Sequence, residues 1–380
     1  MSEPLISATI LTRINEVEAS AWDALAGDGH PFLSHRFLTA LEESGSAVDE
    51  TGWAPRHIWL QDDVGTALGA APLYAKTNSQ GEYVFDHAWA DAMQRSGLPY
   101  YPKLQCSIPF TPAGGPRLLA PTDAGRKGLI SAMVQACHEW EYSGVHATFL
   151  HDTDKATFET AGFLRREDRQ FHFINRGYES FDDFLAALAS RKRKNIKKER
   201  AAAQDGLTIK RLTGDDLKPE HWDYFYQCYL DTGQRKWGRP YLNREFFARI
   251  HESMKKDILL VIAFDGETPI ASALNFIGTE ALYGRNWGCT QHKPFLHFEL
   301  CYYQAIDAGI ELGLSRVEAG AQGEHKLARG YEPVTTYSAH YLAHPGLRDA
   351  IEDYLKRERL AINHEINILG QHTPFKNTDT

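Results

Sequence analysis

Several features that define protein classes are missing from this chain of 380 residues. Its five cysteines include no CxxC pair, which argues against a disulfide framework and against a zinc site. No run approaches the roughly 18 apolar residues of a membrane span. The N-terminal residues lack the basic and apolar regions of a signal peptide. These absences predict a cytoplasmic protein in a reducing environment, with no metal centre.

An excess of basic charge is also missing. The chain has 41 basic and 50 acidic residues, a net charge of −9, so we expect no DNA partner, although one basic patch can still act locally. The composition, 43% hydrophobic and 24% charged, is typical of globular proteins. The length allows two domains, each with its own core.

A hydrophobic pattern occurs twice along the chain. Each copy has three strand patterns, then a helix and a returning strand: 57–60, 68–74, 82–89, 124–142 and 144–150, against 259–264, 270–276, 281–287, 294–313 and 315–321. Each copy closes with a glycine–aromatic pair, followed at equal distance by a histidine, His172 or His340. The matched order favours duplication.

Each copy mixes antiparallel meander strands with a helix and a returning strand. This predicts an α/β (α+β) protein whose mixed central sheets are flanked by helices. A new helix is expected to start at Ser180, where Asp183 has capping-box spacing. The predicted domains are therefore 1–177 and 178–380, the second opening with a basic helix over 181–203.

The order of elements, twice over and with a basic helix opening the second copy, resembles the FemAB-like proteins. These are tandem GNAT-fold (acyl-CoA N-acyltransferase) enzymes, and the closest similarity is to the branch of peptidoglycan biosynthesis/recognition proteins and predicted N-acyltransferases. That branch includes bacterial ceramide synthases. The resemblance covers nearly the whole chain, and the segments that carry it are 31–35 (PFLSH), 109–112 (PFTP), 235–241 (RKWGRPY) and 323–326 (GEHK).

The resemblance implies an N-acyltransferase that forms an amide directly, with acyl-CoA as co-substrate and no tightly bound cofactor. The most specific expectation is acylation of a sphingoid-type long-chain base, which would bring the protein to the inner membrane surface peripherally. One alternative is FemAB-type transfer from aminoacyl-tRNA to a peptidoglycan precursor. Another is a non-catalytic tandem domain that binds an anionic envelope precursor or lipid. The first domain is expected to shape the acceptor side, and the second to carry the chemistry.

One segment departs from ordinary acetyl-CoA-binding GNAT enzymes. Their glycine-rich loop holds a pyrophosphate with backbone amides, but residues 288–294 (GCTQHKP) lack that glycine pattern. Binding of CoA in the usual manner is therefore not expected. Lys293 remains a candidate contact for an anion.

Ionisable residues on the helix predicted from Pro294 are candidates for the chemistry. Glu299 continues the apolar stripe of this helix, and a buried carboxylate suits a general base for an amine. The alternative is a structural pairing with Arg285 or Arg316. His297 projects to a different side of an ideal helix, as a half-exposed histidine would.

A second candidate group follows the next strand. Glu318 and Gln322 share one strand face across Gly320, as expected of a strand that lines a ligand channel. Amide formation needs a base and a group that stabilises the oxyanion. Glu318 or His325 fits the first role and Lys326 or Arg329 the second, while an ordinary polar loop is the alternative. Which of Glu299, Glu318 and His325 is the base stays open.

Two basic segments are candidate binding surfaces. The run over 191–200 predicts contact with a polyanion, such as CoA phosphates, tRNA or anionic lipid, or else a solvated helix face. Mixed cations and aromatics over 232–247 occur both in nucleic-acid grooves and in loops that pack beside a site. The resemblance implies a loop that lines the acceptor or the donor, and residues 285–287 are a similar candidate. The candidate contacts are Arg191, Arg193, Lys194 and Lys197 for the polyanion, and Arg235, Trp237, Tyr241, Arg285, Asn286 and Trp287 for the substrate.

Overall fold

The computed structural model describes residues 6–236, 240–320 and 323–376, without the side chains of residues 234–236 and 324. The strands are β1 Ser7–Leu11, β2 Trp53–Pro55, β3 His57–Gln61, β4 Ala67–Ala71, β5 Leu73–Lys76, β6 Lys103–Cys106, β7 Gly144–Thr148, β8 Leu164–Ile174, β9 Leu207–Leu212, β10 Ile258–Asp265, β11 Thr268–Ile277, β12 Ala281–Cys289, β13 Arg316–Glu318 and β14 Glu332–Leu342. Their mixed parallel and antiparallel pairing, with helices between them, confirms the predicted α/β class.

The helices are distributed between the strands. They are α1 Ala19–Ala26, α2 His35–Glu43, α3 His87–Arg95, α4 Asp123–Glu139, α5 Asp152–Thr160, α6 Phe181–Ala187, α7 Ser190–Gln204, α8 Pro219–Lys236, α9 Arg244–Met254, α10 Leu296–Phe298, α11 Gln304–Glu311 and α12 Pro345–Gln371. A π-helical turn, Glu299–Tyr303, joins α10 to α11, and a 3-10 helix spans Glu324–Arg329. Within the described ranges, none of the helices combines the length and the hydrophobicity needed to cross a bilayer.

The chain forms two compact units. Unit 1 comprises Met1–Asp168 and Thr335–His364. Its main sheet has the order β2-β5-β6-β7-β14, with β6 and β7 parallel, and a smaller antiparallel sheet is formed by β1, β3 and β4. The apolar side chains of β5, β6 and β7 pack against Leu129 and Met133 of α4 and form the core of this unit.

Unit 2 comprises Arg169–Val334 and Glu365–Thr380. Its strands have the order β8-β13-β12-β11-β10-β9, and β12 and β13 are parallel. The core includes Val261 of β10, Leu282 of β12 and Ile306 of α11, all fully buried. Apolar periodicity in the sequence predicted these strands and this helix, and the structure contains them.

The closing strands of the two sequence copies are exchanged. Residues 169–174 of β8 end the first copy, yet they belong to unit 2, where residues 172–174 pair with β13 and His172 lies opposite Glu318. From Thr335 onward, β14 ends the second copy, yet it pairs with β7 of unit 1, where His340 lies opposite His146. Relative to the predicted boundary at 177/178, residues 169–177 belong to unit 2 and residues 335–364 belong to unit 1.

Two predicted elements are wrong in detail. The strand expected over 82–89 is a loop followed by α3, because Trp89 and Met93 have helical spacing and are buried together. The single helix expected over 181–203 is divided into α6 and α7. Between the two helices the backbone bonds to a distant segment instead of continuing the helix. The N–H of Ala189 donates to the carbonyl of Pro374.

Candidate functional site

The π-helical turn between α10 and α11 carries Glu299, which is completely buried. Its carboxylate accepts hydrogen bonds from Arg200 Nε and Nη2, at 3.2 and 3.1 Å, and from Gln204 and Gln304, both at 2.8 Å. The partners predicted for a structural Glu299, Arg285 or Arg316, are therefore wrong, because α7 supplies the arginine. This full set of bonds favours the structural alternative for Glu299.

Glu318 lies at the end of β13 and is 4% exposed. Its Oε1 accepts a hydrogen bond from Arg316 Nε at 3.0 Å. Its Oε2 has no hydrogen-bond partner in the described part of the chain, although His172 Nε2 lies 3.9 Å away. Burial lowers the pKa of His172, which favours the neutral imidazole. Glu318 thus presents one buried carboxylate oxygen that can accept a proton.

The neighbouring strand β12 changes direction beside Glu318. Gly284 lies opposite Asn275 and Asn286 lies opposite Leu274, so Arg285 is an extra residue in a β-bulge. A Cβ atom on Gly284 would lie 3.3 Å from the carbonyl oxygen of Glu318, so the two backbones approach closely here. Bulges bend a strand and redirect its side chains, and they are frequent next to active sites.

An aromatic cluster follows the bulge. Trp287 packs edge-on against His297 at 5.2 Å between ring centroids, and His297 against Tyr302 at 5.3 Å. The hydroxyl of Tyr302 lies 2.8 Å from His325 Nε2, and the ring of Phe298 lies 5.6 Å from that of His325. The structure thus brings together Trp287, His297 and His325, which lie far apart in the sequence.

The 3-10 helix Glu324–Arg329 connects this cluster to the end of β13. Lys326 is 2% exposed, and its ammonium group donates to the carbonyls of Ala319 at 2.6 Å and Gly320 at 2.9 Å. Burial lowers the pKa of Lys326 to about 8. Arg329 stacks over the ring of Phe298 at 3.4 Å and donates to Glu199 at 3.0 and 3.1 Å. Lys326 therefore fixes the turn directly after Glu318.

The basic helix α7 has a buried side and a solvated side. Ile196 is buried, and Arg200 reaches the interior carboxylate of Glu299. Lys197 is exposed and forms an ion pair with Asp182 at 3.1 Å. Of the other candidate contacts for a polyanion, Arg191 and Lys194 are exposed and Arg193 is half-buried. This arrangement permits contact with a polyanion, and that role stays a prediction.

The remaining candidates are distributed more widely. Lys293 forms an ion pair with Asp265 at 3.5 Å, so a bound anion would compete with that carboxylate. Tyr241 is half-buried just before α9, and Asn286 is half-buried on β12. Three predicted contacts fall outside the described residues or side chains, namely Arg235, Trp237 and Gln322.

Sequence reasoning missed two residues of this site, His172 and Tyr302. His172 was visible only as the repeat partner of His340, because its contact with Glu318 depends on the exchange of closing strands. Tyr302 lies in the π-helical turn, which alters the helical phase by which side chains are assigned to faces. Tyr302 and His325 are far apart in the sequence, so no local pattern indicated their contact.

A family comparison identifies this architecture. The FemAB-like family model, described as peptidoglycan biosynthesis/recognition, matches residues 13–377. The chain belongs to the FemAB-like family. The resemblance predicted from the sequence is confirmed, and with it the tandem GNAT-like fold. As a FemAB-like protein, the chain is an acyltransferase.

Solved structures give the same picture of the fold. The match to FemX covers 98% of the FemX chain and 88% of this chain, at 14% sequence identity and a TM-score of 0.55. L-PGS from Bacillus licheniformis matches 98% of its chain and 87% of this one, at 10% identity and a TM-score of 0.52. The C-terminal domain of a putative lysylphosphatidylglycerol synthetase from Agrobacterium fabrum matches 95% of its chain and 88% of this one, at 8% identity and a TM-score of 0.51. Comparison with curated proteins finds no significant match.

Proposed function

We propose that this FemAB-like protein transfers an aminoacyl group from aminoacyl-tRNA to an amine of a cell-wall precursor. The observation that carries the proposal is the buried carboxylate of Glu318, whose Oε2 has no hydrogen-bond partner in the described residues and lies 3.9 Å from His172 Nε2. A carboxylate held in this way can accept the proton that an attacking amine must lose. The turn fixed by Lys326 follows Glu318 directly, and His325, next to Lys326, lies 2.8 Å from the Tyr302 hydroxyl of the aromatic cluster.

The reaction we propose needs no covalent enzyme intermediate. The neutral amine attacks the carbonyl carbon of the aminoacyl ester, so that a C–N bond forms as the C–O bond to the ribose breaks. Glu318 Oε2 takes the proton from the amine nitrogen, and this proton then passes to the departing ribose oxygen. His172 Nε2 lies 3.9 Å from Oε2 and 3.1 Å from Gln170 Oε1, so this imidazole leaves Oε2 available for the proton.

Lys326 supplies the positive charge in this scheme. Its two hydrogen bonds to the carbonyls of Ala319 and Gly320 leave the third ammonium proton available in the described part of the chain. A cation at this position would stabilise the negative charge that develops on the carbonyl oxygen during attack. Arg329, in contrast, is held by Glu199 and Phe298, which suits a structural role.

The family supports an aminoacyl donor over a fatty acyl thioester. The FemAB-like description refers to peptidoglycan, and one structural relative is named for the synthesis of lysylphosphatidylglycerol. Neither the family description nor these relatives' names refer to ceramide or to acyl-CoA, and Lys293, the candidate CoA contact, already pairs with Asp265. We therefore place the aminoacyl-tRNA alternative ahead of acylation of a sphingoid base.

The proposal is tested by incubating the protein with tRNA charged with radiolabelled amino acids and a cell-wall precursor that carries a free amine. Transfer of label into a base-stable amide is the expected result, because an amide survives conditions that hydrolyse the aminoacyl ester. A parallel reaction contains acyl-CoA and a long-chain amine. Product in the second reaction alone would refute the choice of donor.

A further inference from the structure

The exposed side of helix α7 carries a row of three cations, Arg191, Lys194 and Lys198. Their spacings of three and four residues place them on one side of the helix. All three are exposed, whereas Ile196 and Ala203, on the opposite side, are buried. From Arg191 to Lys198 the helix rises about 10 Å. This cationic row therefore presents three positive charges to solvent along one line.

The cationic row lacks acidic partners. It belongs to the segment 191–198, which has six basic residues and no acidic one, in a chain whose net charge is −9. Lys197, beside the row, pairs with Asp182 at 3.1 Å, but the three members of the row form no ion pair with any carboxylate of the described residues. Like charges at these spacings destabilise a helix, so the row is unfavourable in the free protein. A bound polyanion would remove that repulsion.

The inner side of the same helix is bonded to the candidate site. Arg200 donates to Glu299 of the π-helical turn. Glu199 accepts from Arg329, whose Nη1 donates to the backbone carbonyl of His325 at 2.7 Å. An α-helix with its side chains is about 10–12 Å wide, so the cationic row lies about one helix diameter from these contacts. A ligand that reaches both the row and the site must therefore be longer than one phosphate group.

The composition of the exposed side favours a nucleic acid over a membrane. A helix that lies on a bilayer buries an apolar face of large side chains such as Leu, Phe or Trp. No such side chain is exposed on α7, whose other exposed residues are Ser190, Asn195, Lys197, Ala201, Ala202 and Gln204. Contact with the phosphates of a nucleic acid, in contrast, needs only Lys, Arg and small polar side chains.

We propose that the cationic row of α7 binds the phosphate backbone of the donor tRNA close to its aminoacylated end. The identity of this RNA rests on the function proposed above. Contacts from Arg and Lys to phosphates carry no sequence information, so the row positions the acceptor end and does not select one tRNA over another. The row is thus a second point of attachment, outside the residues that perform the transfer.

Equilibrium binding of uncharged tRNA, followed by fluorescence anisotropy between about 50 and 200 mM salt, measures this contact without a transfer step. Binding to phosphates releases counterions, so the affinity of the wild type should fall steeply as salt rises. The row variant, Arg191→Gln with Lys194→Gln and Lys198→Gln, should reduce the slope of log K against log salt by about 2–3. Its affinity should fall at least about tenfold, and by the same factor for different tRNAs.

A matched control variant separates the cationic row from overall charge. Lys127→Gln with Lys356→Gln and Arg357→Gln removes three charges at exposed positions of unit 1 and should bind tRNA like the wild type. Gln has nearly the helix propensity of Lys and Arg, so the row variant should fold, which circular dichroism checks. If it does not fold, Lys194→Gln by itself decides the question, with an expected decrease in the slope of about 1.

The proposal is overturned if the wild type does not bind tRNA or if the row variant binds it like the control variant. It is also overturned if the row supports binding to phosphatidylglycerol vesicles but not to tRNA. Row-dependent binding of uncharged tRNA without transfer from charged tRNA would refute the proposed reaction and leave the RNA surface in place. Transfer by the row variant at the wild-type rate with limiting charged tRNA would refute the surface and leave the reaction in place.

Discussion

The buried ammonium group of Lys326 makes the stability of the protein depend on alkaline pH. Burial lowers its pKa from 10.5 to about 8, which corresponds to a cost of about 3 kcal/mol for keeping the folded state charged. Below pH 8 the folded and unfolded states both hold the proton, and the full cost applies. Between pH 8 and 10.5 the unfolded state binds more protons, so stability is expected to rise with pH.

For the substitution Lys326→Met, the difference in stability from the wild type should change sign between neutral and alkaline pH. It removes the cost of about 3 kcal/mol but also removes two hydrogen bonds, to the carbonyls of Ala319 and Gly320, worth about 1 kcal/mol each. At pH 7 the variant should therefore be about 1 kcal/mol more stable than the wild type. Above the unfolded-state pKa of 10.5 only the lost hydrogen bonds remain, and the variant should be the less stable protein.

Urea unfolding monitored by tryptophan fluorescence from neutral to alkaline pH measures this difference. Lys256→Met serves as control, because Lys256 is exposed and its variant should follow the wild type throughout. A stability difference between Lys326→Met and the wild type that stays constant across this range would refute the reasoning. In the transfer reaction, wild-type activity should fall as pH rises through about 8, and Lys326→Arg should remove that decline.

Two other predictions concern stability and folding. Arg200→Ala should lower the free energy of unfolding in urea by about 3–5 kcal/mol, because Glu299 is left buried without its cation. Arg191→Ala, on the exposed side of α7, should change the free energy of unfolding little. Equal effects of the two substitutions would contradict the ion pair between Arg200 and Glu299. The fragment 1–177 should not fold alone, since it lacks residues 335–364 of unit 1, and adding the fragment 178–380 should restore structure. Cooperative thermal unfolding of 1–177 by itself, seen by circular dichroism, would disprove this.

Local periodicity carried most of the fold prediction. The runs at 259–264 and 270–276 lie within β10 and β11 because alternating and continuous apolar residues give a strong strand signal. The strand predicted over 82–89 was wrong because Trp89 and Met93 have a helical spacing. A short stretch of sequence does not distinguish that spacing from the alternation of a strand. The exchange of β8 and β14 was beyond such patterns, since strand pairing depends on contacts distant in sequence.

The site was predictable residue by residue but not as an arrangement. Strand phase placed Glu318 and Val317 on opposite faces, and both are buried in the structure. The neighbours that define the chemistry, His172 beside Glu318 and Tyr302 beside His325, come from other elements. Arg200, which pairs with Glu299, belongs to the basic run over 191–200. The sequence of that run does not distinguish an inward-facing arginine from its exposed neighbours.

The most direct measurement of the central claim is single-turnover transfer of an amino acid from charged tRNA by the wild type and by Glu318→Gln. General-base catalysis contributes about 10²–10⁴-fold, so the variant should be slower by that factor while its urea unfolding stays close to that of the wild type. Glu311→Gln, at an exposed carboxylate that pairs with Arg211, should transfer at the wild-type rate. Transfer by Glu318→Gln at the wild-type rate, or no transfer by the wild type from any charged tRNA, would contradict the account.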